Sequence, residues 1–390
     1  LDAESLIMEI ENTFSSGVYK KRPIVIVKGK GCRVWDINGK EYIDCVAGIG
    51  TAILGHCNDY VINEVKNQVN KLIVCPEIFY NDVRAEFLKI LSKVSPFGSK
   101  TKVFLSNSGA EAVECAIKIA RKFTGKPEIV AMKKAFHGRT LGALSATWNP
   151  KYRKPFEPLV PHFKHVNFND INSLEKAISE NTAAVILETI QGEGGVNVSK
   201  DEFIKGTWEL CRENDILLIL DEIQTGLGRT GKLFAFEHYG IKPDVVCLGK
   251  GLGNGVPVSC TIAKAEIFES LSRGEHGSTF GGNPLVCAAA KATLEYLIEN
   301  KLWKNAERVG GFMMGEFESI GSGIIREVRG KGLMIGIEVK YPAGKYVLDA
   351  MNKGILIHIA GINVIRLLPP LIITQEEASK VINTLKEVLK

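Results

Sequence analysis

Short apolar runs alternate with amphipathic stretches through the middle of the chain, from about residue 100 to residue 265. Six runs stand out, KVFLS, EIVAM, AAVILE, ILLIL, DVVCLG and SCTIAK, and none shows the polar alternation of a half-exposed strand. Runs of this length and character predict strands buried on both faces. The stretches between them, 109–123 and 201–213 most clearly, repeat apolar residues at helical spacing. The pattern therefore predicts an α/β fold whose mostly parallel central sheet is covered by helices. Upstream, residues 24–44 alternate apolar and polar around Asn38-Gly39, a hairpin signal. Beyond about residue 285, helical patterns at 284–300 and 374–389 frame the runs GLMIGIEV, ILIHI and VIRLL, which predicts a smaller α+β unit. A chain of 390 residues exceeds what one core usually holds. The expected division is an N-terminal segment and hairpin at 1–46 that joins the small domain, a large domain at 47–285 and a C-terminal small domain at 286–390.

Composition narrows the function classes. Hydrophobic residues make up 45% and charged residues 24% of the chain, ordinary for a globular enzyme. The net charge of +5 is spread without a long basic run, so nucleic acid is not an expected partner. No apolar run approaches the length of a membrane span, and the opening LDAESLIMEIENTF does not read as an export signal. The nine cysteines form no CxxC pair and lie mostly in apolar segments, which suits reduced thiols in a cytoplasmic protein. No metal site is expected.

Chemistry enters where the buried runs end. ILLIL, residues 216–220, leads into Asp221 and Glu222, at the sheet edge where α/β folds hold ligands. A carboxylate placed there needs a cation. DVVCLG leads into Lys250 and a glycine-rich loop, KGLGNGVP. In FLSNSGAEAVECAIKIARKF, the turn Ser106-Asn107-Ser108-Gly109 precedes a helix, whose open N–H groups can hold a phosphate. Each of these features alone reads as readily as a solvated lysine, a surface pair or a helix cap. Together they match the three handles of pyridoxal phosphate: an aldehyde for the lysine, a phosphate for the helix start and a ring nitrogen for the aspartate. Two unit charges about 4 Å apart at an effective dielectric near 20 attract by ~4 kcal/mol, enough to keep that nitrogen protonated at neutral pH. The string GLGRTG at 226–231, with Asp244 downstream, formally fits a dinucleotide fingerprint. Its context does not fit, because DEIQT separates it from the strand and no convincing crossover helix follows.

These residues resemble the class III aminotransferases, pyridoxal-phosphate enzymes of fold type I. NSGAEAVECAIKIAR, FHGRTLGALSAT, ETIQGEGG, LILDEIQTGLGRTGKLFAFEHYG, PDVVCLGKGLGNGVP, HGSTFGGNPLVCAAA and VRGKGLMIGIEV run in family order between residues 107 and 339. The resemblance implies that Lys250 is the Schiff-base lysine and Asp221 the partner of the ring nitrogen. It implies that Ser108, Gly109 and Ala110 form the phosphate turn, that Phe136 and Ile223 flank the ring and that Gln224 approaches its hydroxyl. It also implies a homodimer with shared active sites, Thr279 reaching the neighbour's phosphate, and Ser278 beside it at a substrate-binding position.

Arg139 of FHGRT and Arg366 of VIRLLPP resemble the family's substrate anchors, and 2-oxoglutarate has two carboxylates for them. Glu193 of QGEGG matches the glutamate that neutralises the second arginine while an amine donor is bound, and Glu188 helps orient the surroundings. The implied reaction moves a terminal amino group from ornithine or lysine to 2-oxoglutarate, giving a semialdehyde and glutamate. Ornithine aminotransferases carry a tyrosine where this chain has Ile49, which favours donors whose α-nitrogen is blocked. N-acetylornithine fits, and so does lysine or ornithine linked to an acidic amino-group carrier protein, which the positive charge around KYRKPFEP would suit. Ornithine or 4-aminobutyrate aminotransferase, a racemase or aminomutase, and a binding protein that keeps the pocket without turnover are the alternatives. Thr189, Asn254 and GHCND depart from the usual family pattern.

Overall fold

The structure, a computed structural model, describes residues 2–390. Near the N-terminus β1 (Ile26–Lys30), β2 (Arg33–Asp36) and β3 (Glu41–Asp44) run antiparallel. The central strands are β4 (Thr101–Ser106), β5 (Glu128–Met132), β6 (Phe163–Val166) and β7 (Thr182–Leu187), followed, after the small ribbon β8 (Ile190–Gln191) and β9 (Asn197–Val198), by β10 (Leu217–Asp221), β11 (Val245–Leu248) and β12 (Ser259–Lys264). Towards the C-terminus come β13 (Ile325–Lys331), β14 (Met334–Val339), β15 (Ile355–Leu356), β16 (His358–Ala360) and β17 (Val364–Leu367).

The seven central strands order as β4-β12-β11-β10-β7-β5-β6. All neighbours from β11 to β6 pair in parallel, and β12 alone is reversed. Every residue of β5, β7, β10 and β11 is buried, and alternate residues enter separate cores. Leu218, Leu220, Val246 and Leu248 face one core, while Leu217, Ile219, Val245 and Cys247 face the other. Each large aliphatic side chain buried this way contributes roughly 1.5–3 kcal/mol. The second core also holds Ala112, Ala116 and Ile119 of the helix Gly109–Thr124. With a period of two, Asp221 at the end of β10 falls on that helix's side of the sheet.

The six expected central strands and the four expected helices are present, with ends shifted by one or two residues. The run ILIHI, expected as one strand, divides at Ile357. β15 extends the hairpin sheet beside β3, and β16 joins β17 in the sheet β13-β14-β17-β16. The pattern did not single out the helix Leu302–Glu318, whose Gly310 lies so close to Gly332 that a Cβ would collide with its carbonyl. The helix Pro284–Glu299 packs on the helices Asp59–Val69 and Asp82–Val94 and on the turn that begins at Lys250. Among the described residues no helix is long and apolar enough to cross a membrane.

Candidate active site

β10 and β11 pair in parallel, with Asp221 opposite Cys247, so Lys250 emerges three residues beyond that register point. Lys250 opens a short turn, Lys250–Gly253, with a left-handed backbone of φ 40° that lysine seldom adopts. Burial pulls the Lys250 ammonium below its usual pKa, and Glu193 opposes that pull. Its Nζ makes no hydrogen bond or ion pair among the described residues. Both oxygens of buried Asp221 are engaged: Oδ1 accepts from Ile223 N at 3.1 Å, and Oδ2 lies 2.7 Å from His137 Nδ1.

The helix start at Ser108 is both cap and cradle. Ser108 and Glu111 form a reciprocal capping box, with Glu111 also accepting from Asn107 N. Those contacts leave the amides of Gly109 and Ala110 open at the first turn. A Cβ on Gly109 would come within 2.9 Å of Ile223, and one on Gly249 within 3.5 Å of Gly109, so glycines keep this recess open. Ser259 Oγ donates to Ser108 O at 2.6 Å and fastens the turn to the neighbouring strand.

Glu188, at the end of β7, accepts from Phe136 N and Gly192 N, both at 3.0 Å. One carboxylate thus ties the segment carrying Phe136 to the loop carrying Glu193. Burial pushes Glu188 up to about 7, with His137 opposing and Asp221 adding to the rise. Arg366 lies at the centre of β17 and is fully buried; its Nη1 donates to Glu193 Oε1 at 2.7 Å and to Gln224 Oε1 at 3.3 Å. Its Nε and Nη2 are buried without partners. Arg139, in contrast, is exposed, with its guanidinium 3.6 Å above the Tyr152 ring and 5.5 Å from that of Phe136. Phe136, Tyr152, Glu193, His358 and Asn363 line a cleft of ≈ 1140 Å³.

Besides Lys250 on its turn and Ser108 at the helix cap, the sequence-derived residues fall into three groups. Asp221, Ile223, Gln224, Glu188, Glu193 and Arg366 form one connected set, with Gly109 and Ala110 across the Ile223 side chain and Phe136 beside Glu188. Arg139 is exposed and lies over Tyr152, one of the residues that line the cleft. Ser278 and Thr279 lie on a separate loop that touches the helix start: Ser278 Oγ accepts from Asn107 Nδ2 at 3.2 Å and from Gly281 N at 2.9 Å, and Thr279 is exposed.

Sequence reasoning gave no role to three residues here. His137 sits inside the FHGRT string, and its only signal was a polar residue between two assigned ones. Glu222, beside Asp221, accepts from Ala235 N at 2.9 Å and Phe236 N at 3.0 Å and so pins the following loop. Arg229, inside GLGRTG, is buried and donates to Leu333 O and Pro369 O, which makes that glycine-rich string a packing clamp. Two departures from the family pattern have local reasons. Asn254 adopts a left-handed φ of 45°, which asparagine tolerates, and its amide holds Leu54 N and Gly55 O; Asn58 caps the helix Asp59–Val69. Nothing in the structure explains Thr189, whose buried Oγ1 has no partner.

These donors fit pyridoxal phosphate. A buried carboxylate, an unpaired primary amine and a glycine-lined recess with two open amides converge at adjacent strand ends. Comparison with known proteins agrees. Residues 15–389 match the family described as Aminotransferase class-III. The chain is 48% identical over 392 residues to the acetylornithine aminotransferase of Methanopyrus kandleri, covering 100% of this chain and 99% of that protein. A Pyrococcus abyssi relative that bears the name LysW-aminoadipate semialdehyde/glutamate semialdehyde transaminase is 49% identical over 372 residues, with 95% and 98% covered. The solved ornithine aminotransferase from Toxoplasma gondii ME49 superposes with a TM-score of 0.96 at 37% identity, covering 100% of this chain and 95% of that one. Another structure of the T. gondii enzyme is described with PLP at partial occupancy in its active site. The chain therefore belongs to the class III aminotransferases, which work through pyridoxal 5'-phosphate.

Proposed function

We propose that this aminotransferase moves the terminal amino group of an ornithine or lysine with a blocked α-nitrogen to 2-oxoglutarate, yielding a semialdehyde and glutamate. The observation that carries this reading is the Arg366–Glu193 pair at 2.7 Å, with two buried guanidinium donors still unfilled. A buried arginine with open N–H groups is completed by a carboxylate. A glutamate that already covers one edge can neutralise it when the substrate brings none. Such a site accepts in turn an amine with no carboxylate beside the reacting carbon and a keto acid that has one.

When bound, pyridoxal phosphate supplies the electron sink that makes the substrate carbon acidic. The chain's own residues do the rest. Lys250 Nζ, its pKa lowered by burial, would take the proton from the amine-bearing carbon and deliver it to the carbon on the other side of the substrate nitrogen. Asp221, fixed by Ile223 N and His137, would pair with the cationic ring nitrogen. Gly109 N and Ala110 N would hold the phosphate, and Phe136 and Ile223 would flank the ring. Arg139 takes the carboxylate remote from the reaction.

The donor choice leans on Ile49 and the cleft. Ile49 is exposed at φ 61°, within four successive left-handed residues, Ala47 to Gly50, and offers no polar group to a free α-amine. A β-branched residue there is strained, which suits a position held for substrate. The ≈ 1140 Å³ cleft far exceeds one small amino acid, and its free Lys151 and Lys200 suit an acidic carrier. The test is initial rates with carrier-linked lysine, carrier-linked ornithine, N-acetylornithine, free ornithine and 4-aminobutyrate. Faster turnover of the free diamine or of 4-aminobutyrate than of every blocked donor overturns this reading.

The active unit in this proposal is a homodimer in the cytoplasm. Ile78, Phe79, Tyr80 and Phe280 are exposed apolar residues close to exposed Thr279. Buried Arg84 donates to Phe79 O and Gly282 O, bracing both segments as one surface. A second copy covering it would bring Thr279 to the neighbour's phosphate recess. Ile78→Asp with Phe79→Asp is expected to convert the dimer to monomer in sedimentation and to abolish turnover. The nine free cysteines suit a reducing compartment.

A further inference from the structure

We infer that Tyr152 sets where Arg139 presents its guanidinium, and that this contact gives the enzyme its preference for a dicarboxylate keto acid over a monocarboxylate one. The inference rests on the reading of Arg139 as the anchor for the carboxylate remote from the reacting carbon.

Arg139 makes no ion pair and no hydrogen bond among the described residues. Two aromatic faces restrain its head group instead, Tyr152 at 3.6 Å and Phe136 at 5.5 Å. Phe136 and Tyr152 meet edge to face, with centroids 6.3 Å apart and planes at 88°. Tyr152 is itself preset. It rides on the turn Pro150–Arg153, capped by Asn149 through Lys151 N at 3.0 Å, and Trp148 N donates to Ala135 O at 2.9 Å, one residue before Phe136. The ring is therefore in place before substrate arrives.

Stacking differs chemically from an ion pair. A guanidinium held over a ring face spends none of its N–H groups on that contact, and those are the groups that bind a carboxylate two at a time. A protein carboxylate in the position of Tyr152 would occupy them. The ring thus holds Arg139 without competing with substrate, whereas Arg366 is held by a competitor, Glu193. The Tyr152 hydroxyl makes no hydrogen bond among the described residues, so the ring face alone performs this role.

The experiment compares kcat/KM for 2-oxoglutarate and for 2-oxobutyrate, a monocarboxylate keto acid, in wild type, Tyr152→Phe, Tyr152→Leu and Arg139→Gln. Tyr152→Phe is expected to keep the wild-type ratio. Tyr152→Leu is expected to lower it about five- to tenfold, the scale of a partly desolvated cation–π contact, through KM for 2-oxoglutarate with kcat retained. Arg139→Gln is expected to lower it about a hundredfold. The 2-oxobutyrate arm reports an intact site. If Tyr152→Leu slows both keto acids equally, or keeps the ratio while Arg139→Gln loses it, the inference falls and the anchor reading stands. If Arg139→Gln also keeps the ratio, the anchor reading falls as well.

Discussion

The floor of the site and its mouth are built on opposite principles. On the floor, Asp221, Glu188 and Arg366 are buried, and each has at least two polar partners. At the mouth, Arg139 is exposed and rests on aromatic faces. A buried charge without partners costs several kcal/mol, so floor geometry is locked and a change there is paid for at full scale. An exposed arginine is screened and mobile, so a change there alters affinity in small steps. The floor thus suits chemistry common to every substrate, and the mouth suits selection among them.

The largest expected effect tests the floor. Lys250→Ala removes the group read as moving the proton, and turnover with the best donor should fall by roughly 10⁴-fold. Retention of more than a few per cent of wild-type rate by that variant would show that the strand-end lysine is not the proton carrier. Next, Arg366→Met removes a buried cation with charge-assisted hydrogen bonds. It should raise KM for 2-oxoglutarate about a hundredfold, at ~1.5–3 kcal/mol per lost contact to a charged group. An unchanged KM would place the carboxylate elsewhere.

A third expectation concerns pH. Burial pushes Glu222 up to about 7, against the pull of the Ala235 and Phe236 amides, and pushes Glu188 up to about 7 as well. Both folded-state values lie above the ordinary carboxylate value near 4.5. The folded chain therefore binds these protons more tightly than the unfolded chain, and the associated stability is present below the unfolded value and lost as pH rises through 7. Glu222 should cost about 2 kcal/mol between pH 5 and pH 8. Urea midpoints of the cofactor-free protein should fall over that range, and less so in Glu222→Gln. A variant with the same slope as wild type would remove Glu222 from the account.

How far the sequence reached follows the same division. The buried strands were legible because a strand covered on both faces admits only apolar residues, and Asp221 and Lys250 showed as charges at their ends. The helix Leu302–Glu318 was obscured although Leu302, Ala306, Val309, Met313 and Phe317 repeat at helical spacing, because Gly310, Gly311 and Gly315 read as breakers. Gly310 is there for close approach to Gly332, a tertiary reason invisible in one strand of text. His137 escaped because its partner Asp221 lies 84 residues away, and Tyr152 because its partner is a cation 13 positions earlier on a loop without period. Strand splitting in ILIHI was equally hidden, since both halves are apolar and only their pairing partners differ.

The smallest effect lies on the boundary between floor and mouth, at Glu193. Its side chain is 28% exposed, and although burial raises its pKa, Arg366 and then Lys250 pull it below the usual carboxylate value. Glu193 is therefore held as a carboxylate, and in the proposed reading an incoming substrate carboxylate takes its place on Arg366. Glu193→Gln keeps the shape but removes the competing charge, so Arg366 is left with an uncompensated positive charge. Two opposite consequences are expected, each about tenfold. KM for 2-oxoglutarate should fall, because nothing must be displaced, and KM for the amine donor should rise, because its uncharged end now meets a bare cation. Steady-state KM values for both substrates, measured in the same preparation, decide the matter. A parallel change in both would mean that Glu193 merely supports the loop between β8 and β9, and the floor would then extend one residue further towards solvent than its geometry suggests.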